Sequence, residues 1–166
     1  LDEKTKGQKA FLRGDFSGAS ERLGAWCDGN PGDGPAQALL ALALFEDGRT
    51  SRAQAAGEKA EGLLPPGHPA LLHWALALCE LGESDRALGI AGKVLETDPK
   101  NPLAWGIRGL DALKAGRPGE ALGLLRCHGV FQGPLFRAHL LVEVEEALGR
   151  VESGKEWGEG YLLTVL

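Results

Sequence analysis

A few residues have types and spacings that could do chemistry. Cys127 and His128 place a thiol beside an imidazole, the pair that thiol nucleophiles use. Catalytic Cys and His meet in space and seldom as sequence neighbours, so this reads as an incidental pair at a helix end. His139 and Glu143 lie four apart on one expected helix, with Glu146 next along, which could form half a metal site. No third or fourth ligand of the right kind is near, and the spacing reads better as a helix-surface ion pair worth roughly a few tenths of a kcal/mol. The three cysteines, Cys27, Cys79 and Cys127, stand 52 and 48 residues apart with no CxxC spacing. There is no nucleophile elbow, phosphate loop or paired-carboxylate signature. The expectation is a protein that is not an enzyme and holds no metal and no cofactor.

The 166 residues are 43% hydrophobic and 25% charged, enough to bury a core. With 18 basic and 23 acidic side chains the net charge is -5, and no basic block stands out, which speaks against nucleic acid as a partner. The longest apolar stretch, Ala36 to Phe45, is interrupted by Gln37 and is far shorter than the ~20 residues of a membrane span. An odd number of scattered thiols fits a reducing compartment, and the expected location is the cytoplasm. The sequence has no methionine and starts at Leu1, so a processed product or excised fragment is expected, with a periplasmic location as the alternative.

The elements that would position these residues recur at one period. Gly14, Gly48, Gly82 and Gly116 are each 34 residues apart, and so are Ala19, Ala53, Ala87 and Ala121. Gly7, Ala41, Ala75 and Gly109 keep the same step, and Pro31, Pro65 and Pro99 form a fourth column. A chain reversing direction between two helices needs a positive φ, which glycine supplies. Small residues on either side of that turn let two helix axes cross closely, and the proline ends the second helix because it has no N–H to donate. Pro35, Pro69, Pro102 and Pro134 suit the openings of the following helices. Asn101, Thr50 or Ser51, and Ser84 suit N-caps.

Apolar residues between these marks follow helical spacing, as in Leu71, Trp74, Ala75 and Leu78. The pattern predicts helices over 2–13, 17–28, 35–46, 51–63, 69–81, 84–97, 102–115, 118–127, 135–148 and 151–163, and no strand. Trp26, Trp74, Trp105 and Trp157 read as core. Helical glycines such as Gly57, Gly62, Gly89 and Gly123 read as tight packing in preference to a springy array. The apolar end Tyr161–Leu166 is expected to pack on the array, on more chain or on a second molecule, a route to self-association.

The period, the Gly14-Asp15-Phe16 turn and the closing Asp98-Pro99-Lys100-Asn101 resemble the tetratricopeptide repeat. The resemblance spans nearly the whole chain and is strongest in the third copy, His68 to Asn101, and in the fourth, with Trp105, Gly109 and Ala121. It implies an all-α superhelical solenoid of about five hairpins in one array, 1–166, with repeats near 1–33, 34–67, 68–101, 102–134 and 135–166. It also implies a concave groove lined by the first helices: Lys4, Gln8 and Phe11; Ala38, Leu42, Phe45 and Glu46; Leu72, Leu76, Cys79 and Glu80. The fourth repeat adds Gly106, Leu110, Leu113 and Lys114, and the fifth His139, Glu143, Glu146 and Ala147. Only Lys4 fits a carboxylate clamp, with Gln8 a weak echo, so a clamp is rejected. The apolar stripe either receives a partner or fills the groove against itself or a neighbouring segment. The expected function is a scaffold or adaptor for a protein or peptide. A targeting or oligomerisation module of a larger enzyme or cell-envelope complex is the alternative.

Overall fold

Four glycines set the architecture. In the computed structural model, which describes residues 1–127, Gly14, Gly48, Gly82 and Gly116 have φ of +79°, +79°, +84° and +76°. Each sits at the centre of a three-residue connection between two helices. These are α1 (Glu3–Leu12) and α2 (Phe16–Gly29), α3 (Gly34–Glu46) and α4 (Thr50–Leu63), α5 (Leu71–Glu80) and α6 (Ser84–Thr97), and α7 (Pro102–Lys114) and α8 (Pro118–Cys127). No strand occurs among the described residues.

All four connections close in the same way. The glycine amide donates to a carbonyl three residues back, as in Gly48 N to Phe45 O at 2.9 Å, and the next amide donates five residues back, as in Arg49 N to Leu44 O at 2.8 Å. This is the Schellman arrangement, which satisfies carbonyls that a helix end would leave orphaned. The residue after each glycine then accepts from the alanine that follows four positions on, for example Ala53 N to Arg49 O at 3.0 Å. Asp15, Arg49, Glu83 and Arg117 therefore finish one helix and begin the next. For this reason the capping residues of α4 and α6 differ from expectation: Arg49, and not Thr50 or Ser51, is the N-cap of α4, and Ser84, expected as a cap, is already the first residue of α6. Asn101 is the N-cap of α7, its Oδ1 accepting from Leu103 N and Ala104 N at 3.1 Å each.

Helix α5 starts at Leu71, two residues after the proline expected to open it. His68 N donates to Pro65 O, Leu71 N to His68 O and Leu72 N to Pro69 O, a run of tight turns, and His68 Nδ1 accepts from Ala70 N at 3.1 Å. Those short-range bonds use the groups that a helix from 69 would need. The remaining described helices match their expected ranges to within a residue or so. The helices expected at 135–148 and 151–163, with Pro134, Trp157 and the apolar end, lie outside the described residues.

The chain divides into two compact units, Leu1–Thr97 and Asp98–Leu166. In the first, α3 is at the centre: it packs on α2, α4 and α5. Every residue from Ala36 to Leu44 is buried, as is Leu71 to Cys79 of α5 apart from His73. A helix apolar on all sides belongs in an interior. The second helices bury only a stripe: Ala19, Leu23 and Cys27 in α2; Ala53, Ala56 and Ala60 in α4; Ala87, Ala91 and Val94 in α6. Small residues sit at the crossings. A Cβ on Gly7 would come within 2.7 Å of Leu23 Cγ, and one on Gly57 within 2.2 Å of the Trp74 ring, whereas Gly62, Gly89 and Gly123 have nothing within 4 Å. Close packing thus accounts for some helical glycines and not for others. In the second unit α7 packs on α8 and buries Ala104, Ile107 and Leu110. Among the described residues no helix is long and apolar enough to cross a membrane.

Candidate functional site

The residues expected to line a groove divide by exposure. Phe11 (8%), Leu42 (1%), Leu72 (1%), Leu76 (5%), Cys79 (1%) and Leu110 (1%) are buried, as is Ala38. Lys4, Phe45, Glu46, Glu80 and Leu113 keep partial exposure, and Gln8 and Lys114 are exposed. Helices α3 and α5, which carry Leu42 to Glu46 and Leu72 to Glu80, pack directly on each other. Leu110, Leu113 and Lys114 belong to the second unit, and His139, Glu143 and Glu146 lie outside the described residues.

Lys4 has a structural partner. Its Nζ stands 2.7 Å from Asp33 Oδ2, which also accepts from Trp26 Nε1 at 2.9 Å, while Asp33 Oδ1 caps α3 through Ala36 N at 3.0 Å. Burial alone would push the Asp33 carboxyl up, but the Lys4 ammonium, the Ala36 amide and the Trp26 indole together bring it below the usual carboxylate range. Trp26 and Trp105 are only half-buried, with Trp105 Nε1 donating to Pro99 O at 2.7 Å, whereas Trp74 is fully buried and donates to Glu61 Oε1 at 2.7 Å.

A trough runs along the outside of α3. Helices α2 and α4 both pack on α3 and scarcely on each other, leaving an open channel with α3 as its floor. Two overlapping cavities of about 410 and 470 Å³ share Cys27, Asp28, Gln37 and Lys59. The α2 wall presents Glu21 and Asp28, two turns apart, and the α4 wall presents Arg49, Arg52 and Lys59. Between these charges lie Gly24 and Ala25 on one wall and Ala55 and Ala56 on the other, too small to close the gap. The floor is Gln37, Leu40 and Leu44, one face of α3 at steps of three and four.

No protein-family model matches this chain, and no curated protein matches it. The trough stands on its own chemistry. Burial first, then the nearby Asp33 and Asp28 carboxylates, push the Cys27 thiol up to about 11, so at neutral pH it stays protonated and a poor nucleophile. Among the described residues no group of three or more His, Cys, Asp or Glu side chains could hold a metal ion. What the trough offers is fixed charge, a side-chain amide and a strip of apolar floor. One sequence feature pointed at it: Gln37 is the polar residue inside the otherwise apolar stretch Ala36 to Phe45.

Proposed function

We propose that this chain is a non-catalytic scaffold of the tetratricopeptide kind, a superhelical array of about five hairpins that binds a partner polypeptide. The observation that carries the reading is the identical Schellman turn at Gly14, Gly48, Gly82 and Gly116, each joining two packed helices. A chain that spends its sequence on repeating one hairpin builds surface by stacking, and extended surfaces of that kind bind polypeptides. The buried, protonated Cys27 thiol supports a role without covalent chemistry, and cysteines that are buried and not joined in a disulfide, Cys27 and Cys79, suit a reducing compartment such as the cytoplasm.

On this reading the first-helix leucines form the spine of the array. Along that line Phe45, Glu46 and Glu80 retain side-chain surface for a partner. Selection of random peptides displayed on phage against the full chain tests the proposal. The expected result is a convergent motif that binds saturably as a free peptide. Selection that never converges would overturn it.

A further inference from the structure

The trough over α3 holds one uncharged polar side chain on an otherwise apolar floor. Gln37 is 4% exposed as a residue and lines both cavities, and among the described residues the buried side-chain polar atom without a partner is His73 Nδ1, so the Gln37 amide is not sealed in the interior but reaches the open trough. A leucine at this position would continue the apolar floor. A primary amide offers two donors and an acceptor, the complement of a peptide group. The walls add charge of opposite sign. Arg52 and Lys59 on α4 have no ion-pair partner among the described residues, and neither do Glu21 and Asp28 on α2, although all four flank the same channel and are exposed. Arg49, by contrast, is held by Asp47, its Nε 2.9 Å from Oδ2.

We propose that the α2–α3–α4 trough binds a short polypeptide segment of mixed charge. Its backbone amide pairs with Gln37, a carboxylate faces Arg52 and Lys59, a cation faces Glu21 and Asp28, and an apolar side chain rests on Leu40 and Leu44. This rests on the scaffold reading and names where the partner sits and what it carries. The cavities fall within the roughly 300–1,000 Å³ of ordinary ligand sites. Opposite walls also orient the segment and disfavour ligands of a single sign.

The test titrates the full chain, labelled with ¹⁵N, with three capped peptides: acetyl-Lys-Leu-Glu-amide, acetyl-Lys-Leu-Lys-amide and acetyl-Glu-Leu-Glu-amide. The side-chain NH2 resonances of Gln37, assigned by their loss in Gln37→Leu, are the readout. The mixed peptide is expected to shift them saturably and to bind about tenfold more tightly than either control, the scale of two surface charge contacts exchanged for repulsions. Reversing the basic wall with Arg52→Glu and Lys59→Glu, both exposed, should transfer the preference to the Lys-Leu-Lys peptide. Unmoved Gln37 resonances, or equal affinity for all three peptides, would overturn the proposal. So would shifts at Gln37 that depend on protein concentration alone, which would make a second copy of the chain the occupant. A phage-selected motif whose shifts fall away from the trough would leave the scaffold reading standing and this site refuted.

Discussion

Replacing Gly57 with alanine should destabilise the protein, although alanine is the better helix former. Gly57 lies mid-α4, and an added Cβ would sit 2.2 Å from the Trp74 ring, which is fully buried and tied to Glu61 through its indole N–H. The ring cannot swing aside without breaking that bond and repacking α5. Overpacking of this kind costs about 1–3 kcal/mol. The gain in helix propensity returns about 1 kcal/mol, leaving a net loss of about 1 kcal/mol. Gly89 in α6 supplies the control, because a Cβ there meets nothing within 4 Å. Gly89→Ala should therefore stabilise by about 1 kcal/mol. The two variants then differ by about 2 kcal/mol, a gap in melting temperature of roughly 4–8 °C for a chain of this size. Thermal melting followed by circular dichroism reads both. Should both substitutions raise the melting temperature alike, α4 and α5 are not packed as closely as described, and the steric account is wrong.

Gly82→Ala should cost about 1–2 kcal/mol, since a residue with a Cβ must then hold a left-handed conformation at φ +84°. Urea titration measures it, and an unchanged midpoint would contradict the turn geometry. Asp33→Ala removes the α3 cap together with the Lys4 and Trp26 bonds, a loss of about 1–2 kcal/mol from the cap alone; a matching loss in Lys4→Ala Asp33→Ala would show the effects to be shared. Burial pushes the His73 imidazole down from 6.5 to about 4, and its buried Nδ1 has no partner. The unfolded chain therefore takes up this proton first, so full stability holds above pH 6.5 and declines as pH falls towards 4, by at most about 3 kcal/mol. His73→Leu should flatten the stability profile between pH 6.5 and 5, and an unaltered slope would place the imidazole in water.

The hairpins were legible because their determinants are local. A glycine between two apolar-periodic segments needs only its own φ, and the 34-residue step fixes where each turn falls. The N-caps of α4 and α6 were less legible, since Thr50 and Ser84 carry capping side chains while the Schellman bond hands the junction to Arg49 and Glu83. The first-helix stripe shows a different limit. Periodicity identifies a face of a helix, but α3 is apolar on all sides, and only its three packed neighbours decide that Leu42 ends up interior. The trough was not legible at all beyond Gln37. It exists because α2 and α4 fail to meet over α3, and no spacing within either helix encodes a gap between them.

The turn that joins each pair of helices is closed by main-chain atoms and one glycine, so the side chain just beyond the glycine takes no part in closing it. At that position the chain carries Asp15, Arg49, Glu83 and Arg117, an alternation of acid and base. Mutation can rewrite the electrical character of each bend, hairpin by hairpin, with the turn's own hydrogen bonds left in place, although at Asp15 the carboxylate also caps α2 through Gly18 N. In a lineage of such chains the bends can drift in charge while the backbone is held still.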